Sequence, residues 1–152
     1  MISVLLSAIC LVSVAFAKVS WQRTYGGQGN DEGLSVQQTA DGGFIIAGHT
    51  SSLGAGDADV YLVKANAQGD TLWTRTYGGT SADLGWSVQQ TSDGGYIVAG
   101  STLSYGQGVP EWADVYLIKT NASGETLWTR TYGYDGQQSD YGRSVQQTPD
   151  GG

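Results

Sequence analysis

One block of sequence is written three times along this chain, and that repetition limits what it can fold into. Trp21-Gln-Arg-Thr-Tyr25-Gly-Gly27 returns as Trp73-Thr-Arg-Thr-Tyr77-Gly-Gly79 and as Trp128-Thr-Arg-Thr-Tyr132-Gly-Tyr134. Ser35–Thr39, Ser87–Thr91 and Ser144–Thr148 all read Ser-Val-Gln-Gln-Thr. Each is followed by Asp-Gly-Gly, at Asp41, Asp93 and Asp150. Phe44-Ile-Ile-Ala-Gly48 is matched by Tyr96-Ile-Val-Ala-Gly100, and Asp59–Lys64 by Asp114–Lys119. Repeats of this length mean stacked copies of one supersecondary unit, each covering its neighbour's apolar face.

The extra residues of the second spacing fall in Ser104–Ala113, around Pro110, and a further insertion sits near Asp135–Ser139. Length changes confined to such stretches fit exposed connections between constant strands. Each unit reads as four strands, here given for the second. Ser87–Thr91 is the first. A glycine turn leads to Tyr96–Thr102, which is apolar on both faces and so expected in the interior. Val115–Lys119 is the third, and Asn121-Ala-Ser-Gly124 turns the chain into Thr126–Tyr132. In that last strand Trp128, Arg130 and Tyr132 alternate onto one face. Twenty-four glycines, 14% charged residues and 11% aromatics suit short strands joined by tight turns.

Four antiparallel strands per unit of roughly 50 residues is the pattern of a propeller blade. The fold class expected is therefore all-β, with β-propeller-type four-stranded blades in an incomplete set. Two units are whole, Ser35–Gly79 and Ser87–Gly133. The strand Trp21–Gly27 precedes them, and an unfinished third unit runs to Gly152. A ring needs about four blades or more, so the chain reads as truncated. Its repeated Trp and Tyr are expected between adjacent units, each burying roughly 150–250 Å². A β-solenoid is the competing architecture.

Residues 1–17 are apolar, carry no charged side chain and end in Ala15-Phe16-Ala17, a signal-peptide pattern with cleavage before Lys18. An uncleaved anchor is the alternative, although the run is short for a spanning helix. Cleavage would remove Cys10, the only cysteine, leaving the repeat region 18–152 without a thiol for disulfide, metal or catalysis. The formal charge of −7 disfavours nucleic acid and anionic lipid as partners and suits solubility outside the cell.

The Trp-x-Arg-Thr-Tyr-Gly-Gly, Asp-Gly-Gly-Tyr-Ile-Val-Ala-Gly and Asp-Val-Tyr-Leu-Ile-Lys motifs together resemble a repeat abundant in secreted bacterial and archaeal proteins. The resemblance covers Trp21 to Gly152. It implies a propeller, often followed by a C-terminal cell-surface sorting domain. A looser likeness links Asn66–Trp73 and Asn121–Trp128 to the docking motif of quinoprotein-type propellers, with Asn for Asp and a turn one residue shorter. That likeness implies a blade whose Trp docks on a neighbouring turn. It does not imply a bound quinone.

No residue stands out as catalytic, cofactor-binding or metal-ligating. His49, the only histidine, has Ser101 as its counterpart and is expected to be exposed or packed in a loop. Asp31, Asp83 and Asp140 recur before the first strand. One acid per loop is too few for calcium, so they read as turn aspartates. Asp57 with Asp59 comes closer to ligand density, the equivalent Glu111-Trp-Ala-Asp114 has a different spacing, and neither matches a calcium loop. The Gly-Gly pairs at 26–27 and 78–79 are not phosphate loops. Arg23, Arg75 and Arg130 lie between aromatics, as structural cation–π or ion-pair residues would. Asn121-Ala-Ser123 fits a glycosylation acceptor in a host that glycosylates. Trp86, Trp112 and Tyr105 break the repeat, and non-repeated loop aromatics are the best candidates for a carbohydrate or protein partner.

Two functions compete. One is a non-enzymatic exported binding or scaffold module, secreted or held at the cell surface. The other is the N-terminal part of a secreted propeller enzyme, polysaccharide-active or quinoprotein-like, with its site in further blades. A fold of this kind does not decide between them.

Overall fold

The computed structural model describes residues 21–106, 111–134 and 138–151. The signal segment 1–17, Cys10, the cleavage point before Lys18 and Pro110 lie outside the described residues, as does most of the Asp135–Ser139 insertion.

Eight strands form two four-stranded antiparallel sheets, and no helix occurs among the described residues. The first sheet holds β1 (Asp31–Gln38), β2 (Phe44–Thr50), β3 (Asp59–Ala65) and β4 (Thr71–Tyr77), in that order. The second repeats it with β5 (Asp83–Gln90), β6 (Tyr96–Thr102), β7 (Asp114–Thr120) and β8 (Thr126–Tyr132). Sequential hairpins account for every pairing.

The local chemistry explains the hairpins. In Thr39–Gly43, Gly42 takes φ +80° and its N–H donates to Thr39 O at 2.8 Å. Gly43 has a different task, since a methyl group there would overlap Ala65 O and the Lys64 ammonium. The turn Asn66–Asp70 is an Asx turn. Asn66 Oδ1 accepts from Gln68 N at 2.9 Å and from Asp70 N at 2.8 Å. The central strands β3 and β6 are buried at every position. One core runs through both sheets, with Ile45, Val60 and Leu62 meeting Val88, Val98 and Ile118. Each of these side chains contributes roughly 1.5–3 kcal/mol by leaving water.

The second sheet lies on the first through β5, which crosses β1, β2 and β3. Three repeated motifs make that contact. Gly85 sits against Gly48, where a side chain at Gly85 would press on Gly48 O and Val60. The Ser-Val-Gln-Gln segments interlock: Ser35 Oγ accepts from Val88 N at 3.3 Å and Gln37 Oε1 from Gln90 N at 2.7 Å. Gln90 Oε1 accepts in return from Ala40 N at 2.8 Å. At the opposite edge, β4 reaches the second sheet with long side chains. The Trp73 ring stands edge-on to Tyr96 at 5.8 Å and the Tyr77 hydroxyl donates to Gly124 O at 2.6 Å. The expected placement of the recurring rings between units therefore holds here.

The ends differ from expectation in one respect. Trp21–Gly27 and Ser144–Thr148 join no sheet. They still take the places that the repeat assigns them. Trp21 packs on Phe44 at 5.6 Å and donates from Nε1 to Ala67 O at 3.0 Å, as Trp73 packs on Tyr96. Tyr25 donates to Gly69 O at 2.8 Å, as Tyr77 does to Gly124 O. Val145 N and Gln147 N donate to Ser87 Oγ and Gln89 Oε1, repeating the links of β5 to β1. The first strands are also longer than the expected Ser87–Thr91. Pairing starts at Asp31 and Asp83, and bulges at Leu34 and Trp86 interrupt the ladder just before Ser35 and Ser87.

Candidate functional site

The bulges bring together what repetition leaves free. In β1 the register skips from Gly33 to Ser35, and in β5 from Gly85 to Ser87. The skipped residues are Leu34 and Trp86, and the third copy carries Arg143 at that position. Bulges re-aim a side chain out of the ladder. Here the bulge places Leu34 in the first sheet and Trp86 in the second, and Arg143, on a segment that joins no sheet, reaches Trp86. Two residues earlier the column reads Glu32, Leu84 and Tyr141, again without repetition.

Trp86, Tyr141 and Arg143 form a cluster across the second and third units. The Trp86 and Tyr141 rings meet edge-to-face at 6.4 Å and 83°. The Arg143 guanidinium lies 4.9 Å from the Trp86 ring centre and 5.4 Å from that of Tyr141. Trp86 is half-buried, with Nε1 donating to Ser101 Oγ at 3.3 Å. Tyr141 is 46% exposed and Arg143 is exposed. Of the three, the sequence reading singled out Trp86 alone. Tyr141 and Arg143 were visible as non-repeated letters, but nothing local announced that a bulge would gather them.

The other singled-out aromatics separate. Tyr105 is part of the framework, its ring 5.7 Å from that of Tyr116 and its hydroxyl donating to Gly78 O at 2.5 Å. Burial pushes the Tyr116 hydroxyl up to about 12. Trp112 is exposed in the connection before β7. Arg75 and Arg130 lie over Trp73 and Trp128, as expected of structural cation–π pairs. Arg23 instead pairs with Asp70 at 3.1 Å.

The recurring acids build joints. Asp31 is not a local turn aspartate. It accepts from Gly27 N at 2.8 Å, from Ser52 Oγ at 2.7 Å and from Thr50 Oγ1, and these bonds, Thr50 first, hold its carboxyl below the usual range. Asp83 repeats this set with Gly79, Ser104 and Thr102. Beside it lies Asp59, buried at 1% exposure. Asp59 Oδ2 accepts from Ala55 N at 2.6 Å, while Oδ1 is buried without a hydrogen-bond partner. Both carboxylates crowd the space that a Gly78 side chain would fill. Burial, and then the neighbouring Asp83 charge, push the Asp59 carboxyl upward. Asp114 crowds Gly133 in the same way. Asp57 is exposed and does not join Asp59, and Glu111 is likewise exposed while Asp114 is buried. No group of three or more His, Cys, Asp or Glu able to hold a metal occurs among the described residues.

His49 stands across the ladder from Glu32, with Nε2 4.0 Å from the carboxylate and Nδ1 buried without a partner. A 330 Å³ hollow opens on the far side of the second sheet, lined by Ile97, Leu117, Trp128 and Val145. A 250 Å³ hollow lies against Leu34, Val36 and Ile46. Comparison with known protein families finds no match to this chain, and no curated protein matches it.

Proposed function

We propose that this chain is an exported β-propeller-type repeat protein, secreted or held at the cell surface, that binds a surface carbohydrate or protein without catalysing a reaction. The observation that carries the reading is the convergence of non-repeated Trp86, Tyr141 and Arg143, from two units, on one edge of a repeated stack. A framework residue recurs because every unit needs it. A residue that differs at the same structural position is free to meet something else. Aromatic rings beside a guanidinium are the side chains that most often anchor recognition.

The propeller reading is supported by how the sheets approach one another. Backbones come together where β5 crosses β1, β2 and β3, whereas the β4 edge is bridged by the side chains of Trp73 and Tyr77. Blades converging on an axis at their first strands would meet in this way. The apolar segment 1–17, ending in Ala15-Phe16-Ala17, supports export. Carbohydrate is the favoured ligand, because a half-buried indole beside an exposed phenol offers flat apolar faces with polar rims.

The test is retention of the purified exported chain on cell-wall polysaccharides and on surface-protein extracts. Retention that falls in a Trp86→Ala/Tyr141→Ala double variant with an unchanged melting profile supports the reading. Retention untouched by the double variant removes the site, and turnover of a polysaccharide by the chain removes the non-enzymatic reading.

A further inference from the structure

Arg143 differs from every other cation among the described residues. Lys64 and Lys119 are held by Asp41 and Asp93, at 2.9 and 2.8 Å. Arg23 is held by Asp70. Arg75 and Arg130 donate to the carbonyls of Thr74 and Thr129, at 2.9 and 2.8 Å. Arg143 has neither a carboxylate partner nor a protein hydrogen bond among the described residues, only the faces of Trp86 and Tyr141. Stacking on aromatic rings restrains a guanidinium without using its N–H groups. Five donors in a fixed fork remain, and that fork matches a carboxylate bidentately.

We propose that the Trp86–Tyr141–Arg143 cluster is a seat for a uronate residue of an acidic polysaccharide, with the sugar ring over Tyr141 and the uronate carboxylate on Arg143. This rests on the binding-module reading above and adds the ligand's charge. The protein's own charge works against such a ligand. At −7 it repels polyanions as a whole, so an acidic polymer gains nothing from the overall field and must be held by a local device. Arg143, the one cation among the described residues with neither a carboxylate partner nor a side-chain hydrogen bond to the protein, is that device.

The test uses the exported chain and two probes with one backbone, polygalacturonate and its fully methyl-esterified form, compared by affinity electrophoresis and calorimetry. The charged polymer is expected to bind about tenfold or more tightly than the ester, the scale of charge-assisted hydrogen bonds. Arg143→Gln is expected to abolish that preference, bringing the ratio of the two affinities to about one. Arg143→Lys is expected to restore it only in part, because a point charge cannot reproduce the fork. Equal binding of both polymers, or a preference that survives Arg143→Gln, overturns the uronate seat while leaving a carbohydrate module in place. Failure to bind either polymer also overturns it. Failure to bind any surface polysaccharide or protein defeats the broader reading as well.

Discussion

Two lysines show how much of this molecule is decided by single contacts. Lys64 and Lys119 are nearly buried, and each ammonium donates to both oxygens of an aspartate in the glycine turn across the sheet. Each also donates to the carbonyl of the residue that follows it. Replacing Asp93 by Ala leaves the Lys119 ammonium without its main acceptor, and the expected cost is about 1–3 kcal/mol, read from a urea melt. The acid side of the stability curve follows. Bonds from Thr39 and Lys64 hold the Asp41 carboxyl well below the usual range, and bonds from Lys119 and Thr91 do so for Asp93. Carboxyls depressed on folding contribute stability that is present above the unfolded value of 3.8 and is lost as pH falls below it. Denaturation midpoints measured between pH 5 and pH 2 should drop, and drop less in Asp93→Ala. At this scale the sequence was half legible. Asp41-Gly-Gly43 announces a turn by composition, but its lysine partner is 23 residues away and no spacing rule names it.

At the scale of elements, strands with clean alternation or continuous apolar runs were found where expected. The second and fourth strands of the second unit, Tyr96–Thr102 and Thr126–Tyr132, match residue for residue. The first strands were read short, because a skipped residue breaks the period on which recognition depends. The contacts between sheets were legible as ring types and not as partners. Tyr77 illustrates the difference, since its hydroxyl binds a turn carbonyl 47 residues on. Tyr77→Phe keeps the ring and removes that bond, and should cost about 1 kcal/mol in a thermal or urea melt. The Asp59–Asp83 joint should show itself in the opposite pH sense to the lysine clasps. A carboxyl raised on folding contributes stability that is full below its unfolded value of 3.8 and is lost as pH rises through the folded value. Asp59→Asn removes the buried charge and should flatten that loss. Variant and parent chains melted at a series of pH values upward from 3.8 give the comparison, and a variant that loses more stability than the parent as pH rises would count against the joint.

The whole molecule is a stack whose interior interface is repeated at its surfaces without a cover. Trp73 is packed on Tyr96, but its counterpart Trp128 is 40% exposed, with Leu127 and Tyr132 also exposed beside it. An apolar patch of this kind promotes association. The chain should therefore show concentration-dependent self-association in sedimentation velocity, and Trp128→Glu should shift it toward monomer. The stacking itself was legible, because repetition at this period requires neighbours. The cluster at the edge was not, since the residues that meet there, Trp86, Tyr141 and Arg143, come from units 57 positions apart and share no motif. The bulge has a consequence for what the skipped positions can hold. Their side chains are turned out of the ladder, so a leucine in one sheet and a tryptophan in the next are accommodated above the same pattern of backbone hydrogen bonds.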